Sequence, residues 1–159
     1  MFEEYKNILV AVDGSKESEL AFKKAVQVTK RNNAKLFVAH IIDVRAFESI
    51  SSFDETMAEE AEKAAKETLD SYLEYAENNG VTNAEYLIEY GAPKTVIAKE
   101  LQRSKNIDLI LLGATGLNAM ERILIGSVSS YVARHAHCDV LIVRTDLENK
   151  RFEKKKNKH

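Results

Sequence analysis

Two glycines, a nine-residue spacer and a glycine–serine pair carry the most chemistry in this chain. Gly113-Ala114-Thr115-Gly116 is followed, after Leu117 to Ile125, by Gly126-Ser127-Val128-Ser129. Without a Cβ, glycine backbone can approach a ligand closely and reach conformations closed to other residues. Successive backbone N–H groups in such a turn make an anion-binding nest. A helix opening at Gly126-Ser127 would aim its unpaired first-turn N–H groups outward as well. The hydroxyls of Thr115, Ser127 and Ser129 add donors. The pattern reads as a phosphate cradle, and by size and architecture the anion reads as a nucleotide. Plainer readings stand beside it: Gly113 and Gly116 as turn glycines, and Ser127 as an N-cap.

These residues need elements to hold them. Asp108-Leu109-Ile110-Leu111-Leu112 is an unbroken apolar run, the mark of a buried strand, and the first glycine sits at its carboxyl end. Ile8 to Val12 is a second such run, closed by Asp13-Gly14-Ser15. Ser15 is a helix N-cap for residues 16 to 31, with Leu20, Ala21, Ala25 and Val28 on one face and Asn32-Asn33 as the stop. Leu36 to Ile42 reads as another strand, and residues 43 to 55 as irregular. Glu55 to Asn78 is a long amphipathic helix lined by Met57, Ala61, Ala65, Leu69, Tyr72 and Ala76 and ended by Asn79-Gly80. Its acidic face reads as solvated. Glu85 to Tyr90 alternates as an edge strand, and Pro93 opens a helix to about Gln102. The last helix runs from Gly126-Ser127 to about His135, and the fifth strand covers Asp139 to Arg144.

Five strands alternating with helices imply an open, mostly parallel sheet with helices on both faces. Ligands of such sheets bind beyond the strand carboxyl ends at a topological switch point. Asp13-Gly14 and Gly113 to Gly116 both occupy such ends. Sequence alone does not set strand order, but a site between these two ends requires strands one and four to be neighbours, which favours the order 3-2-1-4-5.

The bulk numbers narrow the function classes. A chain of 159 residues is expected to form one domain, residues 1–149, followed by a basic tail, 150–159, without packing periodicity. The tail carries six Lys and Arg against one Glu, +5; with a total of −2, the body sums to −7. Neither nucleic acid nor a membrane is an expected partner of such an acidic body, and the tail reads as a solvated end. Cys138 is the only cysteine, which excludes an intrachain disulfide and fits a reducing compartment. The acidic start Met1-Phe2-Glu3-Glu4 and the short first apolar run resemble neither a signal peptide nor a span, so the expectation is cytoplasmic.

Other polar residues have two readings each. Asp13 either stabilises its turn or accepts from the vicinal hydroxyls of a ribose. Lys16 and Arg122 are either phosphate neighbours or solvated charges. His40 reads as a satisfied structural histidine. His135, His137 and Cys138 share a helix-to-strand loop without a fourth zinc ligand, so no protein metal site is expected, and Cys138 reads as a small filler.

The chain resembles the universal stress protein family over residues 5 to 144. The resemblance is carried by the full G-x2-G-x9-G-S pattern from Gly113 to Ser127, by Val12-Asp13-Gly14-Ser15 after the first strand, and by His40-Ile41 at the end of the second. It implies the ATP-binding branch and an adenine nucleotide alpha hydrolase-like sheet of order 3-2-1-4-5. By that resemblance Ala11, Val12 and Ile41 lie at the adenine, and Asp13, Leu112 and Gly113 near the ribose. Thr115, Gly116, Gly126, Ser127, Val128 and Ser129 lie at the phosphates. It also implies a homodimer through the fifth strand, and Mg or Mn held mainly by the ATP phosphates. Many members place a basic residue or histidine between the first two glycines; Thr115 brings a hydroxyl but no charge. That departure implies modest affinity or a heavier reliance on the divalent ion.

The expected function is that of an ATP-binding stress-response protein acting by nucleotide-dependent conformation or partner binding. Fast hydrolysis needs a positioned water and charge stabilisation at the γ-phosphate. Neither a Walker lysine motif nor a base beside the glycines is present, so any ATPase activity is expected to be slow. The alternative is a nucleotide hydrolase or adenylyl-transfer enzyme on the same scaffold.

Overall fold

A computed structural model describes residues 4–43, 45, 55–114 and 126–151. The order is β1 (Asn7–Ala11), α1 (Lys16–Asn32), β2 (Lys35–Ile42), α2 (Glu55–Asn78), β3 (Ala84–Tyr90), α3 (Pro93–Thr95), a π-helical segment (Val96–Leu101), α4 (Gln102–Ser104), β4 (Leu109–Gly113), α5 (Ser127–His135) and β5 (Asp139–Val143). The five strands form one parallel sheet of order β3-β2-β1-β4-β5, as expected.

The central strands are apolar along their length because both faces are covered. Side chains alternate between faces. Ile8 and Val10 of β1 join Leu36, Val38, Leu109 and Leu111 under α1 and α2. Leu9 joins Phe37, Ile41, Ile110 and Leu112 under the 93–104 rod and α5. On α1 the buried stripe is centred one residue later than expected. Ala21 and Ala25 are buried, but Phe22, Val26 and Thr29 complete the stripe, while Leu20 and Val28 are only half-buried. Phe22 draws the stripe round, stacking at 4.5 Å on Tyr72 and 5.6 Å on Tyr75 of α2.

Helix ends follow local chemistry. Ser15 caps α1, its side chain accepting from Ser18 N–H at 3.1 Å. Asn33 closes α1 in the left-handed conformation at φ 50°. Gly80 does the same after α2 at φ +91°. The 93–104 rod differs from the plain helix expected there: its middle, Val96–Leu101, is π-helical. Such turns insert one extra residue and re-aim the side chains that follow.

After β5 the chain folds back, with an antiparallel bridge between Thr145 and Arg151. Lys24 of α1 holds this hook, donating to Thr145 Oγ1 at 2.6 Å and Asn149 Oδ1 at 3.0 Å. Residues 152–159 of the basic tail lie outside the described residues. No described helix is long and apolar enough to cross a membrane.

Candidate functional site

β1 and β4 are neighbours, and their following connections lead to helices on opposite faces. A cleft of about 200 Å³ opens at their carboxyl ends. It is lined by Ala11, Val12, Asp13, Ile41, Leu112, Gly113, Gly126, Ser127, Val128 and Ser129, all of which the sequence pointed to. Thr115 and Gly116, and with them Arg122, lie outside the described residues. Ser15, Glu17, Ser18, Pro93 and Ile97 complete the lining and were not anticipated. Ser18 had a signal, three residues beyond an N-cap serine. Ile97 had none, because its placement depends on the π-helical segment.

The apolar side of the cleft comes from Val12, Ile41 and Leu112 at strand ends and Ile97 from the rod. Val12 is fixed twice. Its N–H donates to Ala39 O at 2.9 Å, and its carbonyl lies 2.9 Å from His40 Nδ1. A carbonyl only accepts, so Nδ1 carries the proton. His40 is thus the satisfied structural histidine expected.

Asp13 follows in a tight turn. Its Oδ1 accepts from Ser15 N–H at 2.9 Å, and its own N–H donates to Ser18 Oγ at 3.2 Å. Burial pushes its carboxyl up, but hydrogen bonds from Ser15 and Ser18 outweigh this and hold it below the ordinary 3.8. It is ionised at neutral pH.

The opposite wall is the start of α5, and here the plainer reading of Ser127 as the N-cap fails. The N-cap is Gly126, at φ −62° and ψ 164° with no side-chain cap bond, so Ser127 is the first helical residue and not the cap. Intrahelical bonding begins with Ser130 N–H to Gly126 O at 2.9 Å. The N–H groups of residues 127 to 129 therefore have no partner within the helix. Ser129 is 4% exposed and its hydroxyl donates to Gly113 O at 3.2 Å, tying α5 to β4. Its backbone N–H, in the first turn, is among those without an intrahelical partner.

Gly113 also has a packing reason to be glycine. Its φ is not in the left-handed region. A Cβ built on it would fall 2.5 Å from the Glu17 carbonyl carbon and oxygen and 2.9 Å from Ser18 N. The first turn of α1 packs directly on the bare end of β4.

Elsewhere, no group of three His, Cys, Asp or Glu among the described residues is placed to hold a metal ion. His135 stacks on Tyr131 at 4.3 Å. Cys138 is half-buried, and burial, followed by the charges of Asp139 and Asp108, pushes its thiol up to about 11.

The model of the universal stress protein family matches residues 4–144. This chain belongs to that family. A universal stress protein relative from Staphylococcus haemolyticus is 51% identical over 142 residues, covering 89% of this chain and 86% of the relative. Among solved structures, the universal stress protein UspA from Lactobacillus plantarum superposes with a TM-score of 0.77 at 36% identity, covering 89% of this chain and 99% of that one. A universal stress protein solved in complex with cAMP superposes with a TM-score of 0.68 at 29% identity, over 88% and 97% of the two chains. The universal stress protein motif of this chain, where described, thus sits at one rim of the cleft.

Proposed function

We propose that this universal stress protein binds ATP, carried with Mg or Mn, in the cleft between β1 and β4, and acts through nucleotide-dependent conformation or partner binding. The observation that carries the reading is the convergence of the β1 and β2 ends with the described motif residues on one cleft at the switch point. The solved relative in complex with cAMP supports an adenine nucleotide.

The two walls suit the two halves of such a ligand. Val12, Ile41 and Ile97 offer apolar surface to a base, and Asp13 offers an ionised acceptor to ribose hydroxyls. The open N–H groups of α5, with the exposed Ser127 hydroxyl, favour phosphate oxygens. The described lining holds Asp13 and Glu17 and no Lys, Arg or His. A triphosphate therefore fits best with its charge offset by a divalent ion on its own oxygens. When bound, that ion would supply charge neutralisation, and no protein ligand is assigned to it.

Slow or absent hydrolysis fits the same lining. Asp13 is placed for the ribose and not for a water at the γ-phosphate, and the described lining holds no Lys, Arg or His to stabilise charge there. We also assign a homodimer across the β5 edge, where Leu141 is 42% exposed on an apolar strand, and a cytoplasmic location consistent with the lone thiol. Calorimetry with ATP–Mg and GTP–Mg tests the main reading. Saturable ATP binding in preference to GTP is expected. No heat at millimolar ATP–Mg refutes it. Fast turnover of saturating ATP–Mg by the purified protein would favour the enzyme alternative instead.

A further inference from the structure

Ser18 is the third residue of α1 and follows the N-cap Ser15 by three. In a reciprocal capping box the N-cap hydroxyl takes the third residue's N–H, and the third side chain returns to the N-cap N–H. The first half is present: Ser18 N–H donates to Ser15 Oγ at 3.1 Å. The second half is rerouted. Ser15 N–H goes to Asp13 Oδ1 at 2.9 Å. Ser18 Oγ instead accepts Asp13 N–H at 3.2 Å and donates to Ser15 O at 3.0 Å. A serine serving the helix alone would take the N-cap N–H. Here Asp13 takes that donor, and Ser18 serves Asp13.

Ser18 is 5% exposed, and its proton and one lone pair are both engaged by backbone. It is braced from behind by β4, where the bare Cα of Gly113 seats the Glu17–Ser18 peptide. Both ends of the Asp13 turn are therefore pinned. Val12 is tied to Ala39 on one side and Ser18 closes the turn on the other.

We propose that Ser18 is the positioning residue that holds Asp13 ready for the vicinal hydroxyls of a ribose, so that the cleft favours ribonucleotides over nucleotides lacking both hydroxyls. This rests on the nucleotide reading above and deepens it. The same turn holds the Asp13 carboxyl below the ordinary 3.8, and an ionised carboxylate is an acceptor only, matched to two hydroxyl donors. Free of the turn, the carboxylate would lose that orientation, and the hydroxyls would lose their partner.

The test is a calorimetric titration of ATP–Mg and 2′,3′-dideoxy-ATP–Mg into wild type, Ser18→Ala, Asp13→Asn and the double variant, each first shown to unfold cooperatively without nucleotide. Wild type is expected to prefer ATP by roughly tenfold, the scale of one hydrogen bond to a charged group. Ser18→Ala should cut that preference to below about threefold, with ATP affinity falling much more than dideoxy affinity. Adding Ser18→Ala to Asp13→Asn should change neither affinity further. Equal loss for both nucleotides in Ser18→Ala would show a merely structural serine and overturn the proposal. So would an undiminished preference in Ser18→Ala or, should that variant not fold, in Asp13→Asn. A wild type that binds both nucleotides equally overturns this inference alone. A wild type that binds neither overturns the nucleotide reading and this inference with it.

Discussion

Gly113→Ala separates two reasons for a glycine at the end of β4. The added Cβ would lie 2.5 Å from the Glu17 carbonyl carbon and oxygen, whereas ordinary contact begins at 3.4 Å. The end of β4 and the first turn of α1 must then part by about 0.9 Å, the difference between those distances. The obstacle is backbone, so no side-chain rotation relieves it. Overpacking of this kind costs about 1–3 kcal/mol. In a domain of this size each kcal/mol moves Tm by about 2–4 °C, so a fall of roughly 4–8 °C is expected at the middle of that range. The displacement falls on the segment between Val12, anchored to Ala39, and Ser18. There the 3.2 Å bond from Asp13 N–H to Ser18 has little room to lengthen. Nucleotide affinity should therefore fall with stability. Gly14 is the control, because a Cβ there meets nothing within 4 Å but φ is +86°. Gly14→Asn should be milder than Gly14→Ala, since Asn tolerates left-handed backbone; Gly113→Asn should bring no relief over Gly113→Ala. Thermal unfolding with and without ATP–Mg reads both quantities. Gly113→Ala with unchanged Tm refutes the steric argument. Unchanged Tm with lost ATP binding would return Gly113 to the role of a glycine kept bare for the ligand.

Three other outcomes follow from the site and its surroundings. Ser127→Ala should leave Tm without nucleotide within the change expected for about 0.5 kcal/mol, because Gly126 is the cap, yet shrink the ATP-induced rise in Tm; an equal rise in variant and wild type removes Ser127 from the site. Asp13 has a folded pKa below its ordinary 3.8, so its contribution to stability is full above that value and is lost as pH falls through the lower folded one. Asp13→Asn should accordingly show a flatter loss of stability below about pH 4 in acid titrations, and an identical profile contradicts the assignment. The Cys138 thiol, pushed up to about 11, should react slowly with iodoacetamide at neutral pH in the folded protein and faster once unfolded. Equal rates in both states, read by mass spectrometry, would show that burial does not govern it.

What the sequence made legible was local or periodic. The apolar runs of β1 and β4 read as buried strands, and Asp13-Gly14 and Gly113 at their ends favoured placing those strands side by side. Ser15 announced its helix because a cap is a property of a few adjacent residues. The missed features are those decided by distant contacts. Gly113 is held to glycine by Glu17 and Ser18, which no local pattern relates to it. Phe22 joined the buried stripe of α1 because Tyr72 and Tyr75 of α2 lie over it. The π-helical segment spans six residues, too few for its period to show beside an α-helical one. The alternative of Ser127 as the cap stayed open in the sequence because glycine and serine are both favoured there, and the structure gives the cap to Gly126.

The position of the cleft follows from topology more than from any one residue. In a parallel sheet every helix that follows a strand begins at the strand's carboxyl end, so α1, α3 and α5 all start on the side where the cleft opens. At the β1–β4 junction the helices that follow lie on opposite faces, which opens the kind of crevice where open sheets bind ligands. The two walls are then built from different material. One is made of side chains, Val12, Ile41 and Ile97, so substitutions there should alter which base is accepted. The other is made of backbone N–H groups at Gly126 to Ser129, and most side chains share that backbone. On that wall only changes that add bulk to glycine or move the helix start should matter, and base selectivity should survive them. Gly113 joins the walls, packing on α1 through its bare Cα and on α5 through the Ser129 bond to its carbonyl. Displacing either helix start would therefore strain the other, and under the nucleotide reading proposed above this joint couples the start of α5 to Asp13.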